Sequence, residues 1–446
     1  MNEKIKTKEK VFYGLGDLGN NIAYGAVGFY LVFFLTDVAG MNPVYAGYIF
    51  MVERIWNAFT DLIMGVVSDH ARSRWGRRRP FLLFGAIPLG IGFMLLWVVP
   101  FQQTLYQVIY FTLIGILFNT LYSLVSIPYN SLLPELSRDP DERTSISGFK
   151  MALSFIGSLL SAMGVTLIVD ILYPGKEAYT RSFPVMGRIL GLILILCILL
   201  AFAGTKERVI PEKEEKQERI GKTILALLKL KAYRKILAMF ICNMVAFDII
   251  MAIYIYYMKY SLAISEDLTT VFMAVPLITA VAATPLWVGL SNKIGKIRTY
   301  EVSTVYFLVP LVLCLFIPAG NLLAVTIVTI LVGVGISAGQ TLIWAILPDV
   351  VEVDEEKNGV RREGIIYGIT MFLYKICSAI CVGVATAALK WVGYVESTGD
   401  QIVTQSAGAL QGIRYLMGCL PAAFLLLSIY ALIGMKDKRK GAEPNA

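Results

Sequence analysis

Three residues able to carry chemistry recur at helical spacing in the stretch ERIWNAFTDLIMG, residues 53–65. Arg54, Asn57 and Asp61 are separated by three and four residues, so a helix places them on one face. The oxygens of Asn57 and Asp61, one turn apart, are suited to a small cation such as Na⁺ or to a proton. The alternative is that Arg54 and Asp61 are structural hydrogen-bond partners. Glu53 lies off this face, and we expect it to pair locally near the outer side.

Polar side chains also recur at helical spacing in other apolar segments. Their amides, hydroxyls, one carboxylate and one ammonium group suit a polyhydroxylated ligand, and their aromatic rings offer stacking faces. The candidate substrate-binding residues are Asp17, Asn20, Asn21, Tyr24, Tyr122, Ser126, Asn130, Lys150 and Trp344. We expect Asp17 and Lys150 to lie at similar depth and to approach each other. For each hydroxyl or ring taken singly, ordinary helix packing is the alternative.

The second half of the chain adds two ionisable residues in the middle of apolar runs, Asp248 and Lys375. A charged side chain at the centre of a bilayer costs roughly 2.5–3.5 kcal/mol on insertion scales. We therefore expect these two residues to pair with each other or with carboxylates of the first half. Together with Arg54, Asn57 and Asp61, they form the predicted cation- or proton-coupling set.

The elements that carry these residues are predicted to be membrane-spanning helices. The chain has 446 residues, of which 57% are hydrophobic and only 16% are charged, whereas soluble domains average about 25% charged residues. The apolar runs are continuous, and about 20 apolar residues suffice to cross a bilayer as a helix. The fold class is therefore an all-α polytopic membrane protein with twelve spans, near residues 11–38, 45–68, 80–100, 105–133, 144–171, 183–204, 233–260, 268–291, 299–318, 322–348, 364–395 and 407–434.

The distribution of Lys and Arg predicts the orientation in the membrane, because short cytoplasmic loops are enriched in these residues. Basic residues cluster in the segments 1–10, 72–79, 205–235 and 436–440, whereas the loops 39–44 and 100–105 have none. Both termini and the central loop are therefore expected in the cytoplasm, with the protein in the cell (inner) membrane. The same asymmetry explains the net charge of +8. Nucleic-acid binding, the other interpretation of a basic chain, is disfavoured because the basic residues are dispersed over loop ends.

A long charged segment divides the predicted spans into six and six. We predict an N-terminal bundle at 1–204, a cytoplasmic linker at 205–232, in part helical, and a C-terminal bundle at 233–446 with a basic tail. The two halves resemble each other around Gly65 and Gly289 and around Pro134 and Pro348. Duplicated halves are common in secondary transporters, although short loops also match by chance.

Charged residues in the loops after spans 2, 4, 8 and 10 are expected to latch an outward-facing state through salt bridges. The alternative is that these charges only direct membrane topology. An enzyme is disfavoured because the sequence has no nucleophile elbow, no cluster of metal ligands and a single histidine, His70. We expect no cofactor, and we expect a monomer in the lipid bilayer.

Several motifs resemble those of the melibiose-permease-like glycoside–pentoside–hexuronide:cation symporters, which belong to the major facilitator superfamily. The matching motifs are GDLGNN at 16–21, ERIWNAFTDLIMG at 53–65, RSRWGRRRP at 72–80, SIPYNSLLPEL at 126–136 and LPDVVEVDEEKNGVRREG at 347–364, with Lys375. The resemblance implies two pseudo-symmetric six-helix bundles, alternating access, and sugar uptake driven by Na⁺, H⁺ or Li⁺.

The resemblance also implies roles for individual residues. Asp17 matches the family's sugar-binding acid, and Lys150 takes the place of a sugar-binding arginine. Asp61 matches one of two carboxylates of the cation site, and Lys375 matches a lysine near that site.

Four positions depart from the melibiose-permease pattern. Asn57 and Ser126 stand where Asp is expected, Asn130 replaces Trp, and Asp248 stands where Asn is expected. Asp61 is then alone among neutral oxygens, and a lone, partly desolvated carboxylate favours its protonated form.

We therefore predict H⁺ coupling over Na⁺ coupling. The loss of negative charge around Lys150 favours an anionic sugar such as a hexuronide. A carrier of amphiphilic lipids or drug-like molecules on the same fold is the alternative.

Overall fold

The computed structural model describes residues 5–172, 179–209, 220–359, 362–394 and 405–435. Every regular element within these residues is a helix. The helices are α1 (Thr7–Phe33), α2 (Pro43–His70), α3 (Arg79–Leu95), α4 (Thr104–Leu136), α5 (Pro140–Leu172), α6 (Tyr179–Gly204), α7 (Ile220–Lys229), α8 (Lys231–Tyr256), α9 (Glu266–Ile294), α10 (Lys296–Leu313), α11 (Leu322–Ile346), α12 (Pro348–Asn358), α13 (Glu363–Trp391) and α14 (Ala407–Leu432). Twelve of these correspond to the predicted spans, and α7 and α12 are short additions.

Within the described residues, nine helices are long and apolar enough to cross a membrane. Among the remaining predicted spans, α3 has only 17 residues. Helix α2 has sufficient length, but Glu53, Arg54 and Asp61 interrupt its apolar sequence. The third, α10, has 18 residues, and Lys296, Arg298 and Glu301 are charged.

Local sequence signals set several helix ends. Asn42 precedes α2, and its side-chain oxygen accepts a hydrogen bond from the backbone N–H of Val44 at 2.9 Å. Ser406 caps α14 in the same manner through the N–H of Ala409 at 3.2 Å. Such caps satisfy backbone donors that have no partner within the helix.

The first helix of each half ends in the same unusual way. Helix α1 continues into one turn of π-helix at Phe34–Val38, and α8 continues into one at Tyr257–Ser261. These two turns are 223 residues apart (257 − 34), close to the spacing of 224 residues between Gly65 and Gly289 (289 − 65). The repeated π-helical turn supports the duplication that the loop sequences suggest.

The chain forms two compact units that do not coincide with its two halves in sequence. Unit 1 comprises residues 1–224 together with 351–372, and unit 2 comprises residues 225–350 together with 373–446. Helix α13 therefore contributes its first part to unit 1 and the remainder to unit 2. Helix α7 lies in the predicted linker, while residues 210–219 of that linker and the basic tail at 436–446 lie outside the described residues.

Small residues allow α1 and α5 to approach closely within unit 1. A Cβ atom added to Gly157 of α5 would lie 2.5 Å from the backbone oxygen of Leu18, and one added to Gly14 of α1 would lie 2.9 Å from that of Phe149. Side chains at these positions would force the helices apart. The contact brings the segment of α1 that carries Asp17 beside the segment of α5 that carries Lys150.

Candidate functional site

The two charged residues predicted to contact substrate lie together inside unit 1. Asp17 and Lys150 are 8% and 1% exposed, and each is an electrostatic neighbour of the other. Lys150 Nζ donates a hydrogen bond to Asn130 Oδ1 at 2.7 Å, and the side chain of Ser154 is hydrogen-bonded to Asp17. The expected approach of Asp17 and Lys150 is confirmed, while their roles in binding stay predictions.

The two asparagines of α1 surround the same acid. Asn21 Nδ2 donates to the backbone oxygen of Asp17 at 2.9 Å, and Ser158 Oγ lies 3.4 Å from Asn21 Oδ1. Asn20 is 2% exposed, and its side-chain oxygen has no hydrogen-bond donor among the described residues. An unsatisfied buried acceptor is costly, so a ligand hydroxyl that donates to Asn20 would stabilise this site.

Arg54 contacts an aromatic surface rather than lying buried with Asn57 and Asp61. Its guanidinium group lies 5.2 Å from the ring centroid of Tyr24 and donates a hydrogen bond to the hydroxyl of the same tyrosine. Tyr24 in turn stacks on Tyr122, with ring centroids 5.2 Å apart. The three predicted residues of α2 share a helical face in sequence, but Arg54 is exposed whereas the other two are buried.

Tyr122 of α4 connects the candidate substrate residues with the candidate coupling residues. Its electrostatic neighbours are Tyr24, Asp17, Asp61 and Arg54, which come from α1 and α2. Ser126 and Asn130 follow Tyr122 at intervals of four residues, so α4 presents all three on one face. Ser126 is buried and Asn130 is half-buried.

Asp61 is held in a buried hydrogen-bonded cluster between α2 and α4. Ser123 Oγ donates to Asp61 Oδ1 at 2.6 Å and accepts from Asn57 Nδ2 at 3.0 Å. The hydroxyl of Thr60 lies 2.8 Å from the same Ser123 oxygen. The exposed fractions of these four side chains are all 3% or less.

Thr60 and Ser123 are functional candidates that the sequence-based prediction did not include. Ser123 directly follows Tyr122, and Thr60 directly precedes Asp61, but the sequence does not show that the two hydroxyls meet. The resulting set offers one carboxylate, one amide and two hydroxyls. A carboxylate can bind a proton, and oxygens of such a set can also bind Na⁺, so the Na⁺ site predicted at Asn57 and Asp61 stays a prediction.

In unit 2, Asp248 of α8 contacts the segment of α13 that carries Lys375. Asp248 Oδ2 accepts a hydrogen bond from the hydroxyl of Tyr374 at 2.8 Å and another from the hydroxyl of Ser378. These two residues lie one position before and three positions after Lys375 in the sequence. The structure thus brings Asp248 close to the neighbours of Lys375, while the predicted ion pair stays a prediction.

Trp344 also belongs to unit 2. Its ring packs edge-on against Phe240, with centroids 5.4 Å apart, and Phe240 packs edge-on against Tyr374 at 6.2 Å. An aromatic chain therefore joins Trp344 to the tyrosine that binds Asp248. Its predicted contact with substrate stays a prediction.

A buried arginine organises the end of unit 1 at which α2 ends and α13 begins. Arg78 is fully buried and forms ion pairs with Asp69, with Glu135 at 3.0 Å and with Glu363 at 3.4 Å. Burial by itself disfavours the charged guanidinium, but the three carboxylates more than offset this effect, so the pKa of Arg78 is raised above its usual value. Arg78 is therefore charged at every physiological pH.

The same network includes the start of α13. The carboxylate oxygens of Asp69 accept hydrogen bonds from the backbone N–H groups of Gly364 and Ile365, each at 2.7 Å. A carboxylate at a helix N-terminus is favourable because it satisfies free N–H groups and complements the helix dipole.

Further ion pairs involve the other predicted loops. Arg143 pairs with Glu352 at 2.6 Å in unit 1, and Lys296 pairs with Asp349 at 2.6 Å in unit 2. The expected salt bridges among the loops after spans 2, 4, 8 and 10 are thus present within the two units. Their function as a latch stays a prediction.

Comparison with known proteins assigns the chain to a protein family. A family model described as "MFS/sugar transport protein" matches residues 12–436. The chain belongs to this family. Its motifs, its helices and this match together confirm the resemblance to glycoside–pentoside–hexuronide symporters and the major facilitator fold. The protein is a multi-pass membrane protein and a secondary transporter.

Relatives of this MFS/sugar transport protein are named for diverse substrates. The chain is 30% identical to an isoprimeverose transporter of Lactiplantibacillus pentosus, covering 97% of this chain and 89% of the relative. It is 27% identical to a glucuronide carrier protein homologue of Escherichia coli, covering 96% and 92%. It is 26% identical to a sodium-dependent lysophosphatidylcholine symporter of Danio rerio, covering 94% and 84%.

Among solved structures, the E. coli fucose:proton symporter FucP is similar in fold. It has a TM-score of 0.66 at 12% identity, covering 94% of this chain and 97% of FucP. At this identity the likeness concerns the fold alone.

Proposed function

We propose that this protein is a cation-coupled sugar symporter that works by alternating access and uses H⁺ in preference to Na⁺. The observation that carries the proposal is the position of Tyr122, which has Asp17 and Asp61 as electrostatic neighbours. One carboxylate belongs to a polar face suited to sugar hydroxyls, and the other belongs to a buried cluster suited to a proton. Their proximity offers a direct physical route by which protonation affects sugar binding.

The composition of the Asp61 cluster supports coupling to H⁺. Asp61 brings one negative charge, and the Ser123 hydroxyl that donates to it is neutral, as are the Asn57 and Thr60 side chains that are hydrogen-bonded to Ser123. A proton neutralises that charge without any further ligand, whereas Na⁺ requires several hard oxygens that are not engaged with one another. Here the Ser123 hydroxyl already donates to Asp61, so the oxygens would have to rearrange to bind Na⁺.

The surroundings of Lys150 support an anionic sugar as substrate. Lys150 is buried, donates a hydrogen bond to the neutral Asn130 and has Asp17 as an electrostatic neighbour. When Asp17 is protonated, or when the substrate takes the place of Asp17 beside Lys150, the Lys150 ammonium group can bind the carboxylate of the substrate. It binds this carboxylate as a point charge. The glucuronide carrier homologue among the relatives is consistent with this substrate class.

A second candidate function is transport of an amphiphilic lipid. One specific observation favours it, namely the 26% identity to a lysophosphatidylcholine symporter over 94% of this chain. The buried Asp17–Lys150 pair and its surrounding amides argue for the sugar, because such groups are costly to leave unpaired against an acyl chain.

The test is charge movement in proteoliposomes on a solid-supported membrane. Neutral glycosides, pentosides, hexuronides and a lysophospholipid are applied with and without Na⁺ at two pH values. Electroneutral transport moves no net charge, so it is measured separately as the uptake of labelled substrate driven by a pH gradient. We expect a sugar-specific response that requires a proton gradient and no Na⁺. Transport that stays fully Na⁺-dependent at fixed pH would contradict the proton assignment, and a response to the lysophospholipid alone would support the second candidate.

Variants of the two carboxylates sharpen the test. Asp61→Asn is expected to lower accumulation against a gradient while sugar exchange at equal concentrations persists. Asp17→Asn is expected to lower sugar affinity by more than tenfold in both assays. Glu301 of α10, a half-buried acid outside these clusters and outside the loops after spans 2, 4, 8 and 10, provides the control Glu301→Gln, which should leave both assays unchanged.

A further inference from the structure

Glu53 is a buried acid that the mechanism above does not use. It lies on α2 and is 3% exposed. Its carboxyl group packs against Gly115 of α4 so closely that a Cβ atom on this glycine would lie 1.8 Å from Glu53 Oε1. The acid therefore occupies the helix interface itself, instead of pairing near the outer side as the sequence suggested.

The hydrogen-bonding partners of Glu53 are too few for a carboxylate ion. Its side chain is hydrogen-bonded to Asn119, whose Nδ2 also donates to the backbone oxygen of Gly115 at 2.9 Å. Oε1 of Glu53 has no hydrogen-bond partner among the described residues. An ionised carboxyl has about four acceptor sites, and a buried charge is very costly unless it is paired and hydrogen-bonded.

The charged surroundings of Glu53 do not supply the missing compensation. Arg54 is a charged neighbour that favours the ionised form of Glu53, but its guanidinium donates to the hydroxyl of Tyr24 on α1 and is exposed. Helix α4 presents Gly115 and Asn119, which are not titratable. The interface thus stabilises the uncharged carboxylic acid over the carboxylate.

We propose that Glu53 is a second proton-binding residue, which holds a proton in this state and exchanges it with water during the transport cycle. The step is the dissociation of the O–H bond of the carboxylic acid, with the proton passing to a water molecule when the α2–α4 interface is hydrated. Glu53 is eight residues from Asp61, about 12 Å along the helix axis, so the two acids are separate sites. This coupling role rests on the proposed proton-driven function.

Infrared difference spectroscopy of the purified full-length protein tests whether Glu53 holds a proton. The wild type at neutral pH is expected to show a carboxylic-acid C=O band that shifts in D₂O and disappears in Glu53→Gln. The control is Glu356→Gln, which removes an exposed carboxylate and should leave that band intact. If the band persists unchanged in Glu53→Gln, the protonation of Glu53 is refuted.

A steric variant provides independent evidence. In Gly115→Ala, the new Cβ atom displaces the Glu53 carboxyl from the interface, so the band should shift or be lost. The double variant Glu53→Ala/Gly115→Ala removes the clash and should recover the thermal stability of the wild type. An unshifted band in a folded Gly115→Ala protein would contradict the proposed environment of the acid.

Proton counting tests the coupling role. Protons and labelled sugar are measured together in proteoliposomes, and Glu53→Gln is expected to carry roughly one proton per sugar fewer than the wild type, while exchange persists. An unchanged ratio together with a lost infrared band would refute the coupling role and leave Glu53 a structural acid. If the wild type moves no sugar, the proposed function fails, and the infrared band still decides whether Glu53 holds a proton.

Discussion

At the scale of single residues, the important feature is one hydroxyl that joins two helices. Ser123 of α4 is fully buried, donates to Asp61 and accepts from Asn57, both on α2. It is therefore the hydrogen-bond donor by which α4 stabilises the charged form of Asp61. The Arg54 side chain, which sequence spacing groups with Asp61, instead stacks on Tyr24.

Removal of this hydroxyl tests its contribution. A hydrogen bond to a charged group contributes about 1.5–3 kcal/mol, so Ser123→Ala should change the half-maximal concentration of the coupling cation by roughly 10- to 100-fold. Without this donor Asp61 loses a hydrogen bond to its carboxyl group, so the pH profile of uptake should differ from that of the wild type. If Na⁺ is the coupling ion, its affinity should fall instead.

The matched control is Ser131→Ala. Ser131 is another fully buried serine of α4, but its hydroxyl donates to the backbone oxygen of Ile127 in the same helix. This substitution should leave the pH profile unchanged. Equal pH profiles for both variants would show that Ser123 has no special relation to Asp61.

At the scale of elements, the end of unit 1 at which α2 ends and α13 begins depends on Arg78. This side chain neutralises carboxylates from three places in the sequence, namely the end of α2, the end of α4 and the start of α13. Gly65 of α2 and Gly364 of α13 permit the same contact, since a Cβ atom on Gly65 would lie 2.3 Å from the Gly364 oxygen. Packing and charge thus fix the start of α13 against α2.

Substitution of Arg78 should destabilise the protein strongly. Arg78→Met leaves buried carboxylates without compensation, which typically costs about 3–5 kcal/mol. The thermal unfolding of the purified protein should therefore shift to clearly lower temperature. Arg74→Met is the control, because Arg74 is an exposed residue of the same loop that stacks on Trp75. Equal stability of the two variants would contradict the importance of the buried network.

At the scale of the whole molecule, the distribution of charge supports one orientation in the membrane. The basic segments, including 1–10 and 205–235, all fall on the side that twelve spans assign to the cytoplasm. The buried network of Arg78 lies on this same side.

Reporter fusions test this orientation. We expect a fluorescent protein fused after residue 435 to be fluorescent and alkaline phosphatase at the same position to be inactive, because this end is predicted to be cytoplasmic. A phosphatase inserted in the loop between α3 and α4 should be active. The reverse pattern at either position would show that the predicted topology is wrong.

The sequence alone was sufficient to predict the twelve membrane-spanning segments, the class of membrane protein and the family. These properties depend on the length of apolar runs, since lipid cannot satisfy backbone hydrogen bonds and each crossing must be a complete helix. The approach of Asp17 and Lys150 was also predictable, because two ionisable groups at similar depth stabilise each other in an apolar medium.

The tertiary structure decided which side chains of different helices meet. It brought Ser123 and Thr60 to Asp61, buried Glu53 against Gly115, and joined residues 351–372 to unit 1. Helical spacing defines the faces of one helix but not the partner or the rotation of the next. Those depend on close packing of small residues and on the pairing of buried charges, which only the assembled helices determine.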